Sequence, residues 1–546
     1  MKYKVGHLVN KIMSTVVAKF ILKYGDIIGL CLFSLFLFTY KLGSVALYGD
    51  EAIYSQVARE NISHNSFFDF YWNNKLWYEK PPLLIWFTML SFKIFGISGS
   101  SARIFPILFS ALEIAMVYLL SREMFKDRLV GCLSSLMLLF FNSYIWFARK
   151  NMMDIPLMFF VTLAMFAFWK IYKGESRWYL VAGMSLGGAV MMKNIIGIIP
   201  LIAFIIFLLF ERRWRILKSK ELFLSWIIML VIVVPWHLLM SVKHGMGFWN
   251  SYFSYHVWYR FISGLHTTLA DKVDHLFYIK IFGMDISVIK IMFVFSLFYA
   301  LNNLFKKHKN QLLFLAIWFI LFLLIFSFAK TKLQHYMFPA AVPLACLIGW
   351  VLTDLYRKKS EFLLIFSGLS LFNLFDQYSV RQNESGETVV IIPYLLKLLF
   401  INTYFILVSL IMAWFIYFII FYKKSKATSA ITSLILKIAF NISIPLRPNN
   451  HEWIKTTSQK ILEKTGNNPI VINVENGYKL PSYSLKFYLP ITSKFWYVDK
   501  GEKMKYVECK KNCSNFCFIE SSEYFQNISR GIFDTKAGDL FACVIE

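Results

Sequence analysis

The chain has 546 residues, of which 58% are hydrophobic and only 16% charged, and its mean hydropathy is +0.54. Soluble domains run at roughly 25% charged and 45–50% apolar residues, so this composition excludes an ordinary soluble enzyme and describes a multi-spanning membrane protein. The net charge of +26 is no argument for a nucleic-acid partner, because membrane proteins gather Lys and Arg in their cytoplasmic loops.

Apolar stretches of roughly 17–25 residues cross a bilayer as helices, which satisfy their own backbone polar groups. Thirteen are predicted, near 27–47, 103–120, 129–147, 155–171, 178–192, 194–210, 221–240, 288–305, 312–329, 336–352, 361–377, 393–421 and 429–446. With the N-terminus in the cytoplasm, the inner loops hold nearly all the dense basic clusters, such as Arg212, Arg213, Arg215, Lys218 and Lys220. That bias fixes the orientation. The apolar segment 82–96 is assigned to the membrane interface, since counting it as a span would carry Lys423, Lys424 and Lys426 outside. Three sizeable regions then face outward: the loops 48–102 and 243–287, and residues 447–546.

The last region changes composition. Short β-prone runs at 470–474, 484–488 and 495–498, with a polar helical candidate at 452–464, predict a small α/β extracytoplasmic domain over 447–546 after a transmembrane domain over 1–446. It holds Cys509, Cys513, Cys517 and Cys543. Their spacing lacks the tight pairs of a zinc site, so disulfides or free thiols are favoured.

Chemistry-bearing residues collect on the outer side. Asp50 and Glu51 stand where the first span leaves the membrane, and Asp154 stands in the short outer turn before the fourth. Carboxylates at that depth are costly unless paired or at work, although each aspartate reads equally well as a helix cap. Two carboxylates on one face can divide acid–base work. Lys80, in the run Tyr78-Glu79-Lys80-Pro81-Pro82, sits beside the lipid headgroups, where its ammonium suits a phosphate or simply snorkels. Further cations lie outside against the charge bias at Arg260, Lys330 and Lys332. His256 with Glu79 forms a possible divalent-metal pair, the alternative being a histidine packed among aromatics. Cations to hold a phosphate and carboxylates to work at a carbon fit a reaction on a lipid-anchored phosphate.

In order, Asp-Glu at the first span's end, Lys-Pro-Pro-Leu about thirty residues later, Arg149 to Asp154, and Tyr336 at the tenth span resemble the integral-membrane GT-C glycosyltransferases. Within that class the pattern is similar to the lipid A aminoarabinose transferases and to the protein mannosyltransferases. The resemblance implies a polyprenyl-phosphate sugar donor, undecaprenyl phosphate in bacteria, inversion at the anomeric carbon, and no nucleotide cofactor. It implies Asp50 and Asp154, with Glu51 beside them, as the acidic reaction centre, and Lys80, Arg260 and Tyr336 as the grip on the donor phosphate. It further implies Glu79 and His256 as a metal position. The chain departs from the aminoarabinose pattern at Ile53, where that family carries Arg, and at Leu333-Gln334-His335-Tyr336, where it reads Leu-Pro-Tyr-Tyr. The implied reaction moves an amino sugar to lipid A on the periplasmic face of the inner membrane. Mannosyl transfer to protein is the second reading, and a lipid-linked sugar flippase a rival of another class. Transporter sites lie near the bilayer midplane, whereas these ionisable groups gather at one face.

Overall fold

A computed structural model describes residues 24–139, 141–262, 277–278, 295–300, 302–303 and 309–358, and of the C-terminal part 381–382, 388–389, 459, 470–475, 487, 494–498, 517–519 and 541–542. Among the described residues, seven helical stretches are long and apolar enough to cross a membrane. The first, α1 (Tyr24–Ser44), leads out to Gly49. There the backbone takes φ 65° and ψ −138°, a conformation that only glycine adopts without strain. The chain thus turns sharply into α2 (Asp50–Ser63), whose first turn carries Asp50 and Glu51 against the positive end of the helix dipole.

After α2 comes a two-stranded hairpin, β1 (Tyr71–Trp72) with β2 (Lys75–Leu76). Its turn residues Asn73 and Asn74 both have positive φ, and their amides donate to the Glu60 carboxylate at 3.1 and 3.0 Å. The hairpin delivers residues 77–80 to α3 (Leu83–Phe95). At 13 residues α3 is only about 20 Å long, short of a bilayer's hydrocarbon core. With Leu90, Ile94 and Phe95 exposed, it has the character of an interfacial helix.

A short helix α4 (Gly99–Ala102), closed by a Ser98–Ser101 capping box, precedes the spanning α5 (Ile104–Phe125). The predicted third span corrects to two pieces, α6 (Arg128–Leu138) and α7 (Asn142–Ala148), because Phe141 adopts an extended backbone between them. Next come α8 (Asp154–Tyr172), α9 (Trp178–Lys193) and α10 (Ile199–Phe210). Trp178–Phe210 is one apolar stretch of 33 residues, but it is broken at Asn194 (φ 62°), and Gly197 lies against the backbone of Ala189 and Val190. The short α11 (Trp214–Leu217) leads to α12 (Lys220–Trp249), which bends at Gly245 and runs into a π-helical turn, Asn250–Tyr259. The last two spans among the described residues are α13 (Asn310–Phe328) and α14 (Phe338–Arg357).

The bundle core forms where α8 packs on α9, α6 on α14, and α9 on α12. The α9–α12 contact is close because Gly183 and Gly187, four residues apart, meet Ile228 and Ile232. Small residues at that spacing let two membrane helices approach backbone to backbone.

Of the predicted span at 288–305 only part is described, and those at 361–377, 393–421 and 429–446 lie outside the described residues. In the C-terminal region the predicted runs 470–474 and 495–498 coincide with strands. A two-stranded ladder pairs β3 (Arg381–Gln382) with β4 (Thr388–Val389). The strands β5 (Ile470–Glu475), β6 (Lys494–Val498), β7 (Cys517–Ile519) and β8 (Phe541–Ala542) form one sheet in the order β6-β5-β7-β8. Only β8 runs antiparallel to its neighbour. Apart from Gln459 and Phe487, the predicted helix 452–464 and run 484–488 lie outside the described residues, as do Cys509, Cys513 and Cys543. Phe487 meets α2 and α3: its carbonyl accepts from Arg59 Nη1 of α2 at 2.8 Å, and its ring lies 6.1 Å from that of Phe92 on α3.

Candidate active site

Asp154 opens α8 and is buried, 3% exposed. It forms an ion pair with Lys193, the last residue of α9, and His335 Nε2 lies 3.8 Å from its Oδ1. Lys80, 8% exposed, also acts on its charge. The Lys193 ammonium lies over the Tyr336 ring, 4.6 Å from the centroid. Four separate elements thus converge on one carboxylate: the start of α8, the end of α9, the residues entering α3, and the 3-10 turn Gln334–Met337 before α14.

Asp50 is exposed at the start of α2 and lies within electrostatic reach of His335 and Lys150. Its neighbour Glu51 is turned inward, 1% exposed. Oε1 of Glu51 accepts from Arg103 Nη2 at 2.6 Å and the Tyr48 amide at 3.3 Å, while Oε2 accepts from Arg103 Nε and the Asn151 amide, both at 3.1 Å. Arg103 also donates to the carbonyls of Leu42, Val45 and Ala46 at 3.1, 2.9 and 3.2 Å. Asn151 reaches on to Ser55 at 3.0 Å and Thr88 at 3.2 Å. The carboxylate expected beside the reacting pair is therefore the hub of a buried network joining the end of α1, α2, α3, the start of α5, and the loop before α8.

Glu79 Oε2 and His256 Nδ1 stand 3.9 Å apart, His256 being carried by the π-helical turn. Two donors of one tetrahedral zinc ion stand about 3.4 Å apart, so the pair suits two of an ion's ligands. Among the described residues no group of three or more His, Cys, Asp or Glu side chains comes together. The side chain of Arg260 lies outside the described residues. Lys332 is turned to the end of α13, donating to the carbonyls of Ser327 and Ala329 at 2.6 and 2.8 Å, and the Lys330 amide bonds to the Phe261 carbonyl at 2.9 Å.

Sequence reasoning passed over Lys193 and Lys150. Both obey the criterion that singled out Lys80, a cation at the outer end of an apolar segment. His335 entered only as a departure from a motif.

The family profile for dolichyl-phosphate-mannose-protein mannosyltransferase matches residues 79–238, the stretch that supplies Lys80, Asp154 and Lys193. A protein of Aquifex aeolicus is 30% identical over 315 residues, covering 58% of this chain and 69% of its own length. Residues 79–238 thus carry a domain of that mannosyltransferase family, of the GT-C class. The description of that profile is of a glycosyltransferase that uses a polyprenyl-phosphate sugar. Among other relatives of this chain is the undecaprenyl phosphate-alpha-4-amino-4-deoxy-L-arabinose arabinosyl transferase of Pseudomonas paraeruginosa, 25% identical over 59% of this chain and 58% of that protein. The Yersinia pestis protein of the same description is 26% identical over 56% and 55%. The match thus spans little more than half the length of these two transferases. In fold, the chain is similar to the crystal structure of ArnT from Cupriavidus metallidurans bound to undecaprenyl phosphate. The TM-score is 0.69 at 17% identity, over 95% of this chain and 97% of the other.

Proposed function

We propose that the chain transfers an amino sugar, 4-amino-4-deoxy-L-arabinose or a hexosamine, from undecaprenyl phosphate to lipid A on the periplasmic face of the bacterial inner membrane. The observation that carries this reading is the convergence of Lys80, Lys193 and His335 on buried Asp154, with Asp50 nearby. The names of the arabinosyl transferase relatives support undecaprenyl phosphate and the pentosamine. The bias of Lys and Arg toward the opposite loops supports the periplasmic side.

In this reading the bond between the anomeric carbon and the donor phosphate oxygen breaks as the acceptor oxygen bonds from the opposite face. Lys80, Lys193 and Tyr336, with Arg260, receive the departing phosphate anion. Fixed charges in a site closed to water are worth far more than the same charges in solution. Asp154 orients the sugar and favours the positive charge that grows at its anomeric carbon. A lipid A phosphate attacks as an anion and needs no base, whereas with a hydroxyl acceptor Asp50 takes the proton. A divalent ion at Glu79 and His256 would brace the π-helical turn against the residues entering α3.

The test is transfer by purified protein in lipid nanodiscs, with undecaprenyl-phosphate aminoarabinose as donor, lipid A as acceptor, and mass spectrometry of the product. The wild type adds a pentosamine, and Asp50→Asn, Asp154→Asn and Lys193→Ala each lose transfer while staying folded. Wild-type turnover in both aspartate variants removes their assignment. Unchanged lipid A together with glycosylated protein would instead favour mannosyl transfer, the reading that the family profile's description supports.

A further inference from the structure

The 3-10 turn Gln334–Met337 brings His335 and Tyr336 to the site, yet the turn has little of its own to hold it. A single turn closes too few hydrogen bonds to fix a backbone unaided. Its N-cap is Leu333, whose apolar side chain makes no capping bond. The placing of His335 beside Asp154, and of the Tyr336 ring under the Lys193 ammonium, is therefore set by what grips residues 330–334 from outside.

The second outer loop supplies one grip and α7 another. Tyr278, fully buried, brings its hydroxyl to both backbone groups of Leu333: the Leu333 amide donates to it at 3.2 Å, and it donates to the Leu333 carbonyl at 3.3 Å. That carbonyl also accepts from the Tyr336 amide at 3.1 Å, the bond that closes the turn. Earlier in the same segment the Phe261 carbonyl accepts from the Lys330 amide at 2.9 Å. On the other flank Gln334 donates to the Ser143 hydroxyl of α7. The Tyr278 ring is itself fixed, edge-on to Phe326 with centroids 6.5 Å apart and with the Lys332 ammonium 5.7 Å from its centre. The loop that carries Phe261 and Tyr278 also carries His256, 3.9 Å from Glu79 and so beside Lys80. It thus touches two of the four elements that converge on Asp154, the residues entering α3 and the 3-10 turn, and spaces one against the other.

We infer that Tyr278 is a positioning residue for the transfer. Its hydroxyl, from 55 residues away in the chain, serves as the cap that Leu333 lacks, and so sets where His335 and Tyr336 stand against Asp154 and Lys193. The assignment rests on the transferase reading above and extends the site to the second outer loop.

The experiment measures transfer from undecaprenyl-phosphate aminoarabinose to lipid A, and the Kd for undecaprenyl phosphate alone, in nanodiscs holding the wild type or Tyr278→Phe. Both are repeated in a background carrying His335→Ala and Tyr336→Ala. The phenylalanine keeps the ring and removes only the hydroxyl. Its kcat falls about ten- to a hundredfold, the loss that a misplacement of about 1 Å brings, and its Kd rises about three- to tenfold. In the double-alanine background Tyr278→Phe adds nothing, because the turn has no side chain left to position. Tyr299→Phe is the control: that hydroxyl accepts from Lys358 Nζ at 2.8 Å and donates to Asp354, at the opposite end of α14, and its loss leaves kcat in place. Wild-type kcat and Kd in Tyr278→Phe, a further loss in the double-alanine background, or an equal fall in kcat in Tyr299→Phe overturns the assignment. Failure of the wild type to bind undecaprenyl phosphate overturns the transferase reading separately. The cap then still reads out as faster hydrogen exchange of the Leu333 and Tyr336 amides in Tyr278→Phe, and unchanged exchange removes it.

Discussion

Replacing Glu51 with Gln asks whether the adjacent carboxylates at the exit of α1 divide into a scaffold and a reacting group. Every partner of Glu51 is a donor: Arg103 Nη2 and the Tyr48 amide on Oε1, Arg103 Nε and the Asn151 amide on Oε2. Whichever way a glutamine amide is turned, its NH2 faces two N–H groups, and Arg103, itself 2% exposed, keeps a buried charge beside the Leu42, Val45 and Ala46 carbonyls without the carboxylate that neutralised it. Removing one member of a buried ion pair costs about 3–5 kcal/mol. Because the network ties five parts of the chain together, the loss should appear as a lower apparent Tm in detergent and earlier proteolysis of the loops 42–49 and 149–153. Turnover falls only in proportion to the folded fraction. Asp50→Asn should do the reverse, leaving Tm in place while abolishing transfer, since Asp50 is exposed. A Glu51→Gln protein that melts like the wild type but does not turn over would refute the scaffold assignment and make Glu51 a reacting group.

Packing and charge give two further expectations. A Cβ at Gly183 would meet the Ser225 carbonyl oxygen at 2.6 Å and Ile228 Cβ at 2.9 Å, and backbone cannot yield cheaply, so Gly183→Ala should part α9 from α12 at about 1–3 kcal/mol. Its apparent Tm falls and, because α9 ends in Lys193, turnover falls further than stability accounts for; an unchanged melting curve would contradict the close packing. Asp69 accepts from Lys243 and His244, both at 2.8 Å, latching the loop after α2 to α12 beside the bend at Gly245. Burial raises its pKa, but those two bonds prevail and hold it below 3.8, so the latch contributes stability above that value and loses it as pH falls through the lowered one. Hydrogen exchange of residues 64–78 should accelerate over that window, and Asp69→Asn should exchange fast at every pH; equal rates in both proteins at neutral pH would remove the latch.

What the sequence makes legible is what depends on local composition. Apolar length finds α1, α5, α8, α13 and α14, and the excess of outer-side charge finds Lys80 and Asp154. Long-range partners leave no such trace. Glu79 and His256, 177 residues apart in the chain, stand 3.9 Å apart in the structure, a proximity that no local composition announces. Arg103 stands 52 residues from Glu51 and marks only where an apolar run begins, so nothing near it announces that its charge is spent inside the protein. Lys193 is hidden for a different reason: a single charge within 33 mostly apolar residues reads as a boundary between two spans. The break at Phe141 has no proline or glycine to signal it, and tertiary packing decides it.

Adjacency explains how one dipeptide holds both kinds of carboxylate. Successive residues on an α-helix point about 100° apart, so when α2 lies with Glu51 facing Arg103, Asp50 must look away from that network. The sharp turn at Gly49 starts the helix where this rotation puts Asp50 within reach of His335 and Lys150. Glu51 thereby fixes the position of Asp50, because both belong to one rigid helical turn. The same logic holds across the site. Asp154 and Lys193 each sit at a helix end, where side-chain position is set by the whole helix and not by a loop. Charge placement at this end of the bundle is accordingly a property of helix packing, and disturbing α9 against α12 at Gly183 should move Lys193 as surely as altering its neighbours would.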